Sequence, residues 1–314
     1  EKKNIGDALA EWDPKELPAV EFSVSDFSLN KEAYGSWSFD VVPIDTGVQL
    51  NNITGEIRGG YVIGREQERG ATIRWTIDEN KNMETHFSGR FVSDKFEEVL
   101  KQWKQPELLE SEASKFDADI LWAGSPAAIS TVGIDGTIKV LIEKGSFYQD
   151  EKNPSAGGAF LLLISFFNFD TWVRRLRLDF SDLTRKGMAF DQVAGTLHFK
   201  EGDVLMSSPL IVKTPSGRFQ VEGNVDLIDE TVDASLVATL PVGGNLTLFT
   251  AMAAGLPAAV GVYIISKIFE KQVDKVASVR YSVKGSLNDP DFEFDKLFGN
   301  KKKKIETKQE TSKE

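Results

Sequence analysis

The sequence contains no cysteine and only two histidines, His86 and His198, among its 314 residues. Without cysteine the chain has no disulfide bond, no thiolate metal site and no cysteine nucleophile; the compartment stays open, because oxidising compartments permit disulfides without requiring them. Each histidine falls on the polar side of a predicted strand without a second histidine nearby, so we predict no metal site. A Gly-x-Ser-x-Gly elbow and a phosphate-binding glycine loop are also missing, and we predict neither a cofactor nor an enzyme.

Two acidic stretches need a separate interpretation. Asp78, Asn80 and Asn82 are spaced as at the start of a calcium-binding loop, but Met83 stands where that loop requires glycine, so we predict a turn between two strands. Alternating carboxylates at residues 289–295 are typical of a solvated strand face, and paired acid catalysis is the alternative.

Positive charge is in the minority along the chain. The formal net charge is −11, which is poorly suited to a phosphate backbone and excludes nucleic acid as the expected partner. Charge of either sign disappears between Ala234 and Ser266, a segment that must be buried or lie at an apolar surface.

Glycine recurs in one fixed setting. In six five-residue stretches it has a neighbour on each side and an apolar residue beyond each neighbour, and the neighbours are polar except Ala194. The glycines are Gly55, Gly89, Gly136, Gly195, Gly223 and Gly285. Strand side chains alternate between faces, so each stretch places its glycine and two apolar groups on one face. Glycine inside a strand marks a bulge, a bend or a close approach, and the pattern therefore predicts a curved sheet that is apolar on one side.

We predict five regions. Residues 1–92 form a β-groove segment, residues 93–118 a helix and linker, and residues 119–189 strands with an apolar helix. Residues 190–295 form an antiparallel meander that includes a long apolar helix over residues 246–276. Residues 296–314 form a disordered charged tail.

The helix after residue 93 is predicted from apolar residues at helical spacing. Asp94 is its expected N-cap, Glu97 completes a capping box, and Pro106 is expected to end or kink it. The apolar residues are Phe96, Val99, Leu100 and Trp103.

A one-sided apolar sheet without a catalytic pattern indicates the binding of apolar material. The alternative is an ordinary β-sandwich, in which a second layer of the chain covers the same face.

Residues 176–294 resemble the C-terminal part of YhdP-like proteins, which are members of the AsmA-like family of Gram-negative envelope proteins. The resemblance is carried, in this order, by residues 175–183, 186–191, 193–197, 202–205, 223–227, 271–275 and 281–290. It implies a bridge-like lipid-transfer architecture: a mainly β fold with helices, in which a long curved antiparallel sheet forms an open apolar groove.

The resemblance also implies a role. Such proteins carry phospholipid between the inner and outer membranes and support the permeability barrier. We therefore expect an envelope, periplasmic protein whose partners are phospholipid acyl chains and, at the C-terminal end, the inner leaflet of the outer membrane. Its N-terminal membrane anchor is expected to lie outside this sequence, and no protein partner is predicted. The alternative function is a scaffold for outer-membrane proteins that acts through exposed strand edges.

Two sets of residues are predicted to contact lipid. The lining of the groove is predicted to be Gly195, Leu197, Phe199, Val221, Gly223, Val225, Leu227, Leu236 and Leu240. Residues 246–269 either contact the membrane or plug the groove, and the residues concerned are Leu246, Leu248, Phe249, Pro257, Tyr263, Ile264, Ile265, Ile268 and Phe269.

Overall fold

Fourteen strands form one continuous antiparallel sheet. The computed structural model describes residues 7–29, 32–66, 70–103, 109–148, 186–215, 217–241, 276–287 and 289–299. With two exceptions, each strand pairs with the strands next to it in the chain. The exceptions are the fourth and fifth strands, which do not pair with each other; each of them pairs with the third and the sixth. The predicted mainly β, antiparallel fold is confirmed.

The strand bounds follow the chain order. They are β1 Val20–Leu29, β2 Glu32–Ile44, β3 Gly47–Ile57, β4 Gly60–Ile63, β5 Ala71–Ile77, β6 Met83–Ser93, β7 Leu109–Ala123, β8 Ile134–Tyr148, β9 Lys186–Lys200, β10 Asp203–Thr214, β11 Gly217–Asp226, β12 Thr231–Pro241, β13 Val276–Ser286 and β14 Asp289–Gly299. The helix α1 spans Phe96–Gln102, and two short 3-10 turns occupy Pro14–Glu16 and Pro126–Ala128.

Tight turns join most neighbouring strands. Arg58 and Gly59 between β3 and β4 both have positive φ, as do Glu201 and Gly202 between β9 and β10, which is the geometry that two-residue hairpins favour. The predicted turn at Asp78 is confirmed, because its carboxylate accepts hydrogen bonds from the backbone amides of Asn80 and Asn82, both at 2.8 Å.

All six pattern glycines lie inside strands, as the sequence predicts. Gly136, Gly223 and Gly285 adopt positive φ, where an L side chain would be strained. Beside Gly55 and Gly89 the space is filled by large side chains, since a Cβ there would lie 2.5 Å from the rings of Trp37 and Phe87, respectively. Five of the six glycines thus adopt a backbone conformation that other residues disfavour or make room for a neighbouring aromatic ring.

The capping predicted for the helix after residue 93 is wrong. The helix begins after Lys95, not Asp94, and its start is tied down by the Ser93 hydroxyl, which accepts from the Lys95 amide at 3.2 Å. The Glu97 carboxylate accepts from the Ser111 amide of β7 instead of closing a capping box. The predicted linker is partly strand, because β7 already starts at Leu109.

Most of the buried apolar residues form two clusters on one side of the sheet. The larger runs from α1 and β7 to β13, and the smaller consists of Ile120, Trp122 and Ile134. In the part of the chain that the structure describes, no helix is both long enough and apolar enough to cross a membrane. Pro106, the apolar helix predicted within 119–189, residues 246–276 and the tail after residue 299 lie outside the described residues.

Candidate functional site: an apolar row across the sheet

The alternation of β7 defines two faces. Phe116, Ala118, Ile120 and Trp122 point to the side that carries the buried clusters, which we call the apolar face. Asp117 and Asp119 point to the opposite side, the polar face, where they meet arginine and histidine side chains from other segments. The faces that the sequence predicts are therefore present.

One row of register partners on the apolar face crosses thirteen strands without a break. It takes one residue from each of β1, β2, β3 and β5 to β14, and every member is aliphatic, aromatic, glycine or proline. We call it the central row: Val20, Val41, Leu50, Ile73, Phe87, Ile120, Gly136, Phe199, Val204, Val225, Val232, Gly285 and Pro290. Neighbouring strands lie about 4.8 Å apart, so the row covers about 58 Å of sheet surface, perpendicular to the strands.

Burial changes along the central row. Val20 at the β1 end is 44% exposed, and Val41, Leu50, Ile73 and Phe87 are only partly buried. On β10, β11 and β12 the members are at most 3% exposed. The first half of the row is therefore the more accessible half.

The predicted lining residues are on the apolar face. Leu197, Val221, Val225 and Leu236 are buried in the larger cluster, and Phe199 and Leu227 are partly buried and pack against it. Phe199 and Val225 belong to the central row, whereas Val221 and Leu236 are register partners in a neighbouring row. Leu240 pairs in register with Ala277.

The two predicted lining glycines have close neighbours in the sheet. A Cβ on Gly195 would lie 2.8 Å from Leu210 Cδ1, and a Cβ on Gly223 would lie 2.4 Å from the carbonyl oxygen of Asp233. The space beside each glycine is thus occupied by this chain. The residues that contact lipid or membrane in the prediction for 246–269 lie outside the described residues.

Sequence reasoning missed the N-terminal half of the central row. Each strand alternates visibly, for example Ile73, Trp75 and Ile77 on β5, but register between strands is not written in any one strand. The glycine pattern and the hairpin turns were the available signals, because they fix which residues come to lie opposite each other.

The helix α1 rests on the apolar face at one end of β7. The ring of Phe96 lies 5.1 Å, centroid to centroid, from that of Phe116, and Val99 and Leu100 are buried in the same cluster. Beyond the helix, the guanidinium of Arg58 lies over the rings of Tyr34 at 4.4 Å and Trp103 at 5.3 Å.

The turn Pro126–Ala128 rests on the apolar face at the other end of β7. Ala128 packs against the cluster that contains Ile120 and Trp122, and the Trp122 indole donates to the carbonyl of Ser125 at 2.8 Å. Asp7 reaches the same corner, where its carboxylate accepts from the Ser125 amide at 3.0 Å.

The polar face is held by ion pairs. Arg90 makes a two-point contact with Asp117, and its second bond, Nη2 to Oδ2, is 3.1 Å. Burial raises the pKa of Asp117, but the hydrogen bond and charge of Arg90 outweigh it and hold that pKa below its ordinary value. Burial also raises the pKa of Asp119, but hydrogen bonds from His86 and Arg65 outweigh it and hold that pKa below its ordinary value. Within the described ranges, no cluster of three metal-binding side chains occurs.

Comparison with known proteins identifies a family and a curated relative. A family model described as "YhdP protein" matches residues 1–292. The chain is 22% identical over 254 residues to the "Intermembrane phospholipid transporter YhdP" of Escherichia coli (strain K12), an alignment that includes 81% of this chain and 20% of that protein. The chain thus spans about a fifth of the length of this curated relative. No solved structure matches the chain.

The family match includes both the N-terminal strands and the meander, and so extends well beyond the segment in which the sequence resemblance is strongest. Together with the continuous antiparallel sheet, it leads to one conclusion: the chain belongs to the YhdP protein family.

Proposed function

We propose that the apolar face carries phospholipid acyl chains along the central row, as part of a longer protein that moves phospholipid between the two membranes of the cell envelope. The observation that carries this proposal is the unbroken thirteen-strand row without a polar member. The curated relative is named an intermembrane phospholipid transporter, which agrees with such a path. Support of the outer-membrane permeability barrier follows from the same role.

The energetic argument is simple. Burying one methylene is worth about 0.8 kcal/mol, so bringing a two-chain lipid through water costs on the order of 20 kcal/mol. A continuous apolar surface removes most of this cost, whereas a single polar row member would restore part of it. Headgroups stay in water, and the acyl chains need shape and apolarity more than specific bonds, so the role requires no catalytic group.

The direction of the row favours transfer over storage. The row crosses the strands, so adding neighbouring strands lengthens the path without widening it. In this proposal the partly exposed residues from Val41 to Phe87, together with Phe199, are the first to contact acyl chains. The buried lining residues Leu197, Val221, Val225 and Leu236 continue the path, and acyl chains reach them only where the packing above them opens.

A matched pair of variants on β5 tests the proposal. Ile73→Glu places a carboxylate in the central row, while Thr72→Glu places the same group on the opposite face one residue earlier. We expect native mass spectrometry of the purified chain to show co-purified phospholipid. Ile73→Glu should reduce it at least tenfold, because a carboxylate pays a desolvation cost beside acyl chains, whereas Thr72→Glu should leave it within twofold. Absence of lipid from the unmodified chain, or equal losses in both variants, would refute the proposal.

A further inference from the structure

Two elements rest on the apolar face at β6 to β8 and leave only part of the strand length between them. There α1 rests over Phe116 on one side, and the turn Pro126–Ala128 rests beside Trp122 on the other. Between these two elements Ile120 is buried, and three neighbouring apolar side chains stay partly exposed. We call this part the narrow strip, and it consists of Phe87, Ala118 and Ile138, all partly buried.

The register gives the width of the narrow strip. Phe116 and Trp122 are six residues apart on β7, which is about 20 Å, and the elements resting at the two ends leave two rows of residues between them. One is the central row at Ile120, and the other contains Ala118 with its partner Ile138. Two rows correspond to about 13 Å of strand length.

The residues at the middle of the narrow strip are small, so the surface of the sheet, which we call the floor of the strip, is low there. The ring of Phe87 reaches over Gly89, where a Cβ would come within 2.5 Å of the ring. Gly89 is the register partner of Ala118, and Ala118 in turn pairs with Ile138. A small side chain at position 118 therefore lies between an aromatic ring and a branched aliphatic group, and its volume controls the clearance above the floor.

We propose that acyl chains cross the sheet through the narrow strip, and that Ala118 sets its clearance. Acyl chains extended across the strands fit over this floor, whereas bulky groups meet α1 or the turn Pro126–Ala128. This inference rests on the proposed function, since it names one point of the same path.

Site-specific photo-crosslinking tests separately whether lipid reaches the apolar face and whether the narrow strip limits its access at Phe87. Benzoylphenylalanine replaces one of three phenylalanines of the apolar face: Phe39 on β2, Phe87 in the narrow strip or Phe199 on β9. The full chain that carries it is incubated with vesicles of phosphatidylethanolamine and phosphatidylglycerol. Each reporter is combined with Ala118→Phe, which fills the narrow strip, or with Lys139→Phe, which adds an aromatic ring to the exposed polar side of β8 next to Ile138.

The expected result is lipid crosslinking at all three reporters in the unmodified background. Ala118→Phe should lower crosslinking at Phe87 at least fivefold and leave Phe39 and Phe199 within twofold, and Lys139→Phe should change none of them. If Ala118→Phe lowers the melting temperature by more than a few degrees, Ile138→Phe fills the same strip from β8 and is scored by the same rule.

The outcomes separate the two hypotheses. Silence at all three reporters refutes the proposed function. Crosslinking at Phe39 and Phe199 with an unchanged signal at Phe87 in the filled variant overturns the narrow strip while the lipid path stands. An equal loss at all three reporters with an unchanged melting temperature also overturns it, because the effect of the filled strip is then not local.

Discussion

The ring of Phe96 on α1 packs at 5.1 Å, centroid to centroid and tilted by 34°, on the ring of Phe116 on β7. This contact fixes the only α-helix of the described residues to the apolar face of the sheet. Around it, Glu97 accepts from the Ser111 amide, and the Ser93 hydroxyl donates to the Gly59 carbonyl at 2.7 Å. The position of the helix thus depends on the packing of Phe96, Val99 and Leu100 and on a few hydrogen bonds.

Phe96→Ala should release α1 from the sheet. Truncating a buried phenylalanine costs about 3 kcal/mol or more, and for a short helix held by few contacts we expect most of this cost to appear as local opening. Amide hydrogen exchange of residues 96–102 should speed up by about 100-fold, since about 1.4 kcal/mol corresponds to a factor of ten. Lys101→Ala, at an exposed position of the same helix, is the control. Unchanged protection in Phe96→Ala would show that other contacts hold the helix.

Gly223→Ala and Gly285→Ala should differ, although both glycines have positive φ. A Cβ on Gly223 would lie 2.4 Å from the Asp233 carbonyl oxygen, whereas the nearest atom to a Cβ on Gly285 is 3.8 Å away. We expect Gly285→Ala to lower the free energy of unfolding by about 1 kcal/mol through backbone strain alone. Gly223→Ala adds a steric clash, and we expect a loss of about 3 kcal/mol. Urea denaturation measures both, and equal losses would contradict the role assigned to Gly223.

The substitution Asp117→Asn tests, through stability at acidic pH, how much the ion pair between Asp117 and Arg90 stabilises the fold. The pKa of Asp117 is lowered in the folded chain, so the ion pair with Arg90 stabilises the fold above the unfolded pKa of about 4 and loses this effect as the pH falls through the folded pKa. We expect the Asp117→Asn substitution to cost about 1 to 2 kcal/mol in urea denaturation at pH 7. The difference from the unmodified chain should shrink below pH 4, as the carboxyl of the unmodified chain becomes neutral like the amide that replaces it.

The matched control for that experiment is Glu112→Gln. Glu112 and Lys144 form an exposed ion pair at 3.5 Å, and exposed pairs contribute little to stability. Its denaturation midpoint should coincide with that of the unmodified chain. A difference for Asp117→Asn that persists unchanged at pH 3 would mean that the charge of Asp117 is not the cause.

The substitution Tyr281→Phe tests, through stability at alkaline pH, whether the phenol of Tyr281 is buried on the apolar face. Tyr281 is buried at the register position opposite Leu236, and burial raises its pKa to about 12. A raised folded pKa gives stability that is complete below the unfolded value of about 10 and declines as the pH rises through the folded value. The unmodified chain should therefore lose stability between pH 10 and pH 12 more steeply than Tyr281→Phe. Parallel pH profiles of the urea midpoint would contradict the burial of the phenol.

The alternation of single strands and the turns between them were predictable from sequence. Residues 190–241 contain regular apolar–polar alternation, and the hairpins at Gly202 and Gly217 follow from glycine-containing turns. By contrast, the sequence predicts a linker where β7 begins. Its buried positions near α1 include Ser111 and Ser114, and the Ser114 hydroxyl donates to the Ser93 carbonyl, so the strand lacks an apolar signal there.

The sequence predicts which residues of the candidate site lie on the apolar face, but it does not predict how deeply they are buried. Alternation correctly assigned Leu197, Val221, Val225 and Leu236 to the apolar face, but it cannot say how much of that face is covered. Burial depends on contacts between segments distant in sequence, as the packing of α1 on Phe116 illustrates. The more accessible residues Val41, Leu50 and Ile73 were missed because the register that joins them is not visible within a single strand.

The order of the strands has a consequence for how such a chain changes size over evolution. Most strands bond only to the strands before and after them in the chain, so inserting or deleting one hairpin leaves all other pairings intact. A hairpin adds two strands, or about 10 Å, to the surface that a ligand crosses. Two relatives that work across gaps of different breadth can therefore differ by whole hairpins while their remaining residues keep the same partners.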